Sequence, residues 1–311
     1  MSTAFLFSGQ GAQYNEMGKE LYEEYDQVKQ VFNRASERLG IDLAAVMFND
    51  DERLHWTPLT QPAILTLSHA IEQLLKEAGI KANMVAGLSL GEYTALVSSE
   101  VFTFEDAVEL VHKRGTYMDQ AVPEGTGAMA AVMGLEAEVV EKICDEISET
   151  HYVQVANYNM PGQLVVAGIK EGVAAASEAL EKAGAKKVIP LNVSGPFHTK
   201  LLEPAAQKLA EELKNVEMNP LSVTVYSNTT ADKYADKEQV SETLIQQVMS
   251  PVKFEQMIRQ MIQDGADTFI ELGPGKTLKT FVKKIDRSVT VLNVENIKQL
   301  HKAIEKVAAN N

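Results

Sequence analysis

At 311 residues the chain is long for one simple core and suits one large domain, or a large one carrying a smaller insert. Its formal charge of −14 excludes the basic surface that non-specific nucleic-acid binding needs. No stretch approaches the roughly 18 consecutive apolar residues of a membrane span, so an integral membrane protein is excluded as well. Met1 to Phe7 lacks the basic start and long apolar run of a signal peptide. The one cysteine, Cys144, rules out an internal disulfide framework and fits a reducing compartment, so a cytoplasmic protein is expected. Val139, Val140, Ile143, Cys144 and Ile147 fall at helical spacing, which makes Cys144 a core residue.

In chain order, Thr3 to Phe7 reads as a short apolar strand running into Ser8-Gly9-Gln10-Gly11-Ala12-Gln13. Glycines on both sides of Gln10 permit close backbone approach. The loop is either an ordinary strand-to-helix turn or a source of an oxyanion-binding N–H at Gln10. Helical patterning covers Met17 to Gly40 and again Thr60 to Gly79, where Thr60 is expected to cap, Pro62 to sit in the first turn and Gly79 to stop the helix.

Asn83 to Ala86 reads as a buried strand, Gly87-Leu88-Ser89-Leu90-Gly91 follows, and Tyr93 to Ser98 reads as helix. Strand, G-x-S-x-G and helix together form a nucleophile elbow, with glycine required at Gly87 and Gly91 because the turn is tight. The Ser89 hydroxyl then stands at a strand's carboxyl end, facing the N–H groups of the next helix.

Thr103-Phe104-Glu105-Asp106 looks like a capping box opening a helix to about Gln120. Phe104, Ala107, Val108, Val111 and Met118 form its apolar face, and Arg114 falls on that face, whereas Lys113 pairs outward with Glu109. An inward guanidinium needs an anion. That anion is either an internal carboxylate or the carboxylate of a substrate, held by the planar fork of arginine.

From Gly127 the predicted order is β-α-β-β-α-β, the ferredoxin-like split unit, inserted at residues 124–193 between two parts of a larger α/β domain at 1–123 and 194–311. Gly125 and Gly195 are its expected hinges, and Asn157 to Gly162 its hairpin turn. Val193 to Thr199 is a Gly-Pro loop ahead of a helix, and it carries the one histidine of six at such a junction, His198. A serine at an elbow needs a base, and loops at strand ends are where α/β folds place one. His55, His69, His112, His151 and His301 read as surface or satisfied residues. Strands at Val223 to Ser227 and Thr268 to Leu272 resume the large domain, with helices at Lys237 to Met249 and Phe254 to Gln263 between them. Gly273-Pro274-Gly275-Lys276 lacks P-loop spacing and reads as a turn, no metal-ligand spacing is evident, and a last strand and helix close the chain.

Taken together, FSGQGAQ (7–13), TQPA (60–63), GLSLGEY (87–93), KRG (113–115), ANYNMPGQ (156–163), SGPFH (194–198), SPV (250–252) and ELGPGK (271–276) resemble the malonyl-CoA:acyl-carrier-protein transacylases of bacterial fatty-acid synthesis, over essentially the whole chain. The resemblance implies an α/β-hydrolase-like large domain and a ping-pong transfer of malonyl from malonyl-CoA to acyl carrier protein. Ser89 would be the nucleophile, His198 its base, and Arg114 the clamp on the malonyl carboxylate. Gln10 and Leu90 would supply oxyanion N–H groups, Gln247 a backbone carbonyl that orients the histidine, and Phe197 a contact bearing on malonyl over methylmalonyl. The family's chemistry implies no metal or organic cofactor, since phosphopantetheine belongs to the carrier protein, and a monomer is expected. Leu88 stands where most members have histidine, and Ser8 where they have proline.

An acidic carrier docking on this acidic chain needs local positive charge. Lys186 with Lys187, and Lys283 with Lys284 and Arg287, are the candidates, unless these runs are simply solvated faces. The rival readings are a trans-acting acyltransferase of a polyketide synthase, a serine thioesterase or esterase sharing the elbow, and a non-catalytic carrier-binding scaffold.

Overall fold

A computed structural model of the chain describes residues 2–309. Five parallel strands form the first sheet in the order β7-β2-β1-β8-β9: β1 (Thr3–Phe7), β2 (Met84–Gly87), β7 (Thr224–Val225), β8 (Thr268–Leu272) and β9 (Thr290–Val294). A parallel sheet is covered on both faces, so its central strands read as unbroken apolar runs. β1 obeys this rule, since every residue of Thr-Ala-Phe-Leu-Phe is buried. Phe5 and Phe7 enter one core with Val85 and Ile270, while Ala4 and Leu6 enter the other with Ala86 and Phe269.

Between β1 and β2 run α1 (Lys19–Glu24), α2 (Asp26–Leu39), α3 (Leu43–Phe48) and α4 (Thr57–Glu77). The patterning over 17–40 thus resolves into two helices that break at Tyr25, whose φ of −112° and ψ of 115° are extended. The expected start of the next helix is three residues too late. α4 begins at Thr57 with Pro58 in its first turn, and Pro62 lies inside it. Proline has no N–H to give the carbonyl four residues back. His112 Nδ1 supplies the missing hydrogen bond, 2.8 Å from Pro58 O, and Thr60 Oγ1 donates to Leu54 O instead of capping.

α5 (Leu90–Ser98) follows the elbow, and α6 (Phe104–Asp119) opens at Thr103, whose side chain accepts from Asp106 N. Gly115 lets α6 cross against the Thr57–Pro58 backbone, which a Cβ there would strike. Outward on α6, Lys113 Nζ lies 2.9 Å from Glu109 and 2.8 Å from Glu212.

The next segment runs β3 (Gly127–Met133), α7 (Ala137–Ser148), β4 (Val153–Met160), β5 (Gln163–Ile169), α8 (Lys170–Lys182) and β6 (Lys187–Pro190), an antiparallel sheet in the order β4-β5-β3-β6. Cys144 is buried in its core, as its helical spacing requires, and burial pushes its thiol up to about 12. The hairpin turn is shorter than expected: strand geometry continues through Asn157 and Asn159, and only Pro161–Gly162 turn. The outer edge of β4 is itself paired, since Tyr158 N donates to Val252 O at 2.8 Å and Val252 N to Ala156 O at 2.9 Å.

The chain returns through α9 (Glu203–Leu213), β7, α10 (Glu238–Met249) and α11 (Phe254–Gln263), then β8, α12 (Thr277–Ile285), β9 and α13 (Ile297–Ala308). β7 is shorter than the strand expected over 223–227, ending at Val225. Among the described residues no helix is long and apolar enough to cross a membrane.

Candidate active site

The elbow forms at the carboxyl end of β2. A Cβ on Gly87 would strike the Gly91 backbone, and one on Gly91 would strike Phe7 O, so both glycines are fixed by close approach. Ser89 holds φ 52° and ψ −102°, which points its hydroxyl out of the turn. The loop after β1 meets the elbow, because a Cβ on Gly9 would run into Leu88 O. Among the described residues neither the Gln10 nor the Leu90 N–H donates to a protein group. Ser8 Oγ donates to Pro274 O at 3.3 Å and ties the Gly273–Gly275 turn to the loop after β1.

His198 comes from the Gly-Pro loop and also holds a positive φ, 61°. Its Nε2 lies 2.8 Å from Ser89 Oγ, and its Nδ1 lies 2.8 Å from the backbone oxygen of Gln247 on α10. A carbonyl can only accept, so Nδ1 carries the hydrogen and Nε2 offers its lone pair to the serine. Burial, then the Arg114 charge, push the His198 pKa down to about 4, and the ring is neutral at physiological pH.

Arg114 is 1% exposed. NH1 donates to Gln61 Oε1 at 2.8 Å, while NH2 donates to Gln247 Oε1 at 2.9 Å and to Ser89 Oγ at 3.1 Å. The guanidinium also lies 5.1 Å from the centroid of the Tyr93 ring. Among the described residues no carboxylate pairs with it, so the internal ion pair is absent and the cation is held by neutral oxygens. Burial pushes its pKa down, offset in part by Tyr93 and Glu92.

Glu92 lies one amide away from Arg114, across Gln247. Gln247 Nε2 donates to Glu92 Oε2 at 2.7 Å and to Ser89 O at 3.0 Å, which fixes the amide so that its oxygen faces Arg114. Gln61 reaches in the other direction, to Gln10 Oε1 at 3.4 Å, and Gln10 Nε2 in turn donates to Thr57 Oγ1 at 3.1 Å. Sequence reasoning missed Gln61, Glu92 and Asn228. Gln61 and Glu92 lay inside quoted motifs with no role attached. Asn228 was signalled only by its place just beyond a strand's carboxyl end, where open α/β sheets carry their sites.

Ser89, His198, Phe197, Asn157 and Asn159 line a cavity of about 510 Å³. His55 also borders it from an exposed position, as expected of a surface residue, whereas His69 is buried and stacks on Phe104 with ring centroids 4.6 Å apart. Leu88 faces the same cavity beside the nucleophile. Neither lysine cluster touches it. Lys186 and Lys187 are exposed at the start of β6. Lys283, Lys284 and Arg287 share a separate groove with Lys276 and Lys279, and no described residue lining that groove is a carboxylate. Among the described residues no group of three or more His, Cys, Asp or Glu side chains is arranged to hold a metal.

The acyl transferase domain family matches residues 4–306. A malonyl CoA-acyl carrier protein transacylase of Bacillus subtilis (strain 168) is 46% identical over 310 residues, covering 99% of this chain and 98% of the relative. The crystal structure of a transacylase of the same name from Clostridium perfringens superposes with a TM-score of 0.96 at 46% identity, covering all of both chains. A malonyl-transacylase in complex with a type II PKS acyl-carrier protein gives 0.96 at 37% identity, covering 98% of this chain and 100% of its own. With a family model matched over residues 4–306 and relatives 46% identical along nearly the whole chain, the chain belongs to the acyl transferase family, among the malonyl CoA-acyl carrier protein transacylases.

Proposed function

We propose that this chain moves the malonyl group of malonyl-CoA onto the phosphopantetheine thiol of acyl carrier protein, supplying the extender unit of fatty-acid synthesis. The observation that carries the reading is a buried guanidinium 3.1 Å from the Ser89 hydroxyl with no carboxylate of its own. A malonyl ester on Ser89 brings one.

In the proposed reaction His198 Nε2 takes the Ser89 proton as Oγ attacks the thioester carbon. The oxyanion is received by the Gln10 and Leu90 N–H groups, and the C–S bond breaks as His198 returns the proton to the CoA sulfur. The carrier's thiol then gives its proton to His198 and attacks the ester, and Ser89 leaves with that proton. Gln247 O keeps the proton on Nδ1 throughout, so the Ser-His pair works without a third, acidic member. Arg114 selects the acyl group, because an acetyl chain leaves the buried cation unmatched. Phe197, buried beside the histidine, limits room at the malonyl α-carbon. The scheme is complete without metal or organic cofactor.

The same reading makes residues 1–123 and 194–311 the catalytic α/β-hydrolase-like domain and 124–193 a ferredoxin-like insert, supported by the β-α-β-β-α-β order and the strand order β4-β5-β3-β6. It has the chain act as a cytoplasmic monomer. For carrier docking the groove around Lys283, Lys284 and Arg287 is favoured over Lys186 and Lys187, because its cations reinforce one another: burial and then the charges of Lys283 and Lys302 push the Lys279 pKa down. The relative held by a type II PKS carrier supports a second reading with identical chemistry, in which the acceptor is a polyketide carrier protein.

Intact-protein mass spectrometry after mixing with malonyl-CoA or acetyl-CoA tests the proposal. A malonyl adduct absent from Ser89→Ala is expected. Free malonate accumulating without an adduct would make the protein a hydrolase instead.

A further inference from the structure

Asn228 lies beyond the end of β7 and is fully buried. Its Oδ1 accepts from Ser89 N at 2.6 Å, and its Nδ2 donates to Gly87 O at 2.7 Å. These are the two groups that the backbone N–H and C=O of the next residue in a parallel ladder would engage. Tyr226 N already donates to Val85 O at 3.0 Å, so the following rung belongs at Gly87 O and Ser89 N. The backbone turns away there, its N–H going to Glu92, and the side-chain amide of Asn228 makes both bonds that its main-chain N–H and C=O would have made.

The position matters because Ser89 holds φ 52° and ψ −102°, a region that residues with a Cβ occupy only when their surroundings impose it. Two hydrogen bonds from one planar amide fix the peptides on both sides of Leu88. They also occupy the Ser89 N–H and leave the Leu90 N–H to face an oxyanion. Asn228 is itself anchored, since its own N–H donates to Glu92 Oε2 at 3.1 Å, and Tyr234 OH holds Glu92 Oε1 at 2.5 Å. Glu92 Oε2 is also the acceptor for Gln247, so one carboxylate ties the elbow to the amide that holds Arg114.

We infer that Asn228 is a positioning residue that extends the β2–β7 ladder by one side-chain rung and thereby holds Ser89 in its attacking conformation. The inference rests on the reading of Ser89 as the nucleophile.

The test follows single-turnover acylation of Ser89 by malonyl-CoA, and phosphonylation of Ser89 by a fluorophosphonate, in the native protein, Asn228→Ala and Asn228→Asp. Asn228→Ala should slow both reactions by about 10²-fold, as a misplaced nucleophile does. Its KM for malonyl-CoA should stay within about threefold of native, because the acyl-binding groups are untouched. In Asn228→Asp the protonated carboxyl can donate to Gly87 O as the amide does, whereas the ionised form repels it. Burial beside Glu92 raises that carboxyl's pKa. Its acylation rate should therefore climb as the pH is lowered from about 8 to about 6, where the native rate is level. A folded Asn228→Ala reacting at the native rate, or an Asn228→Asp profile parallel to native, would overturn the inference. If Asn228→Ala does not fold, the Asn228→Asp profile decides. A native protein that reacts with the fluorophosphonate but ignores malonyl-CoA would count against the acyl-transfer reading and leave the comparison among the variants intact.

Discussion

His198 Nε2 lies 2.8 Å from Ser89 Oγ, and both residues hold positive φ, 61° and 52°. Two side chains with a Cβ in that region mean that local conformational preference has been overruled at both ends of one hydrogen bond. Hydrogen bonds hold each in place: Asn228 at the serine, and at the histidine Gln154 Nε2, which donates to His198 O at 3.0 Å.

The depressed pKa of His198 sets the pH dependence. The acylation rate should be level from neutral pH down to about pH 5 and fall as the ring protonates near pH 4. The folded value of about 4 lies below the ordinary 6.5, so between these the unfolded chain binds the extra proton. The stability contributed by the neutral ring is complete above pH 6.5 and lost as the pH falls toward 4, with a slope of roughly 1.4 kcal/mol per pH unit. Urea denaturation of native protein and His198→Gln at neutral pH and at about pH 5 should show a smaller acid loss in the variant. Equal losses would contradict the assignment.

Arg114→Ala should lower malonyl-CoA acylation by about 10²- to 10³-fold, the cost of removing one partner of a buried charge pair, while acetyl labelling persists. Arg114→Lys should recover little of the preference, since an ammonium cannot match the fork that spans Gln61 and Gln247. Competition between labelled malonyl-CoA and acetyl-CoA measures the ratio, and an unchanged ratio in Arg114→Ala would remove the clamp from the mechanism.

His112 and Pro62 should be energetically coupled although neither touches the cavity. His112→Ala leaves Pro58 O without its hydrogen bond, at a cost of about 1 to 3 kcal/mol. Pro62→Ala restores a backbone N–H at the position that serves this carbonyl, so the double variant should lose less stability than His112→Ala alone. A double-mutant cycle on denaturation midpoints checks this, and strict additivity would refute it.

Changing Lys283, Lys284 and Arg287 to Gln should raise KM for carrier protein several-fold at low salt, shrink that effect at high salt, and leave acylation by malonyl-CoA unchanged. The two half-reactions, measured separately, distinguish this from general damage.

Much of this architecture was legible in the chain. The apolar runs of β1 and β8 gave buried strands, and the spacing of Gly87, Ser89 and Gly91 gave the elbow, because close backbone approach leaves a signature in residue type. Arg114 was legible as inward-facing from its spacing to Val111 and Met118. Its partners were not, since Gln61, Ser89 and Gln247 come from three distant segments and hydrogen bonding between side chains has no sequence period. The early start of α4 was hidden because Pro62 mimics a first-turn proline, and His112, which makes an internal proline tolerable, lies on another helix. Asn228 escaped because a side chain standing in for main-chain groups looks, in sequence, like any asparagine after a strand.

The rung between β4 and Val252 has a mechanical meaning. Val252 lies five residues past Gln247, whose carbonyl holds the histidine, so β4 is bonded to the segment between α10 and α11 on the histidine's own side. Further hydrogen bonds on the same side, from Gln154 Nε2 to His198 O at 3.0 Å and from Lys200 N to Tyr152 OH at 3.2 Å, join β4 and the residue before it to the histidine loop itself. The amides of Tyr158 and Val252 should accordingly be among the slowest of the cleft to exchange with solvent.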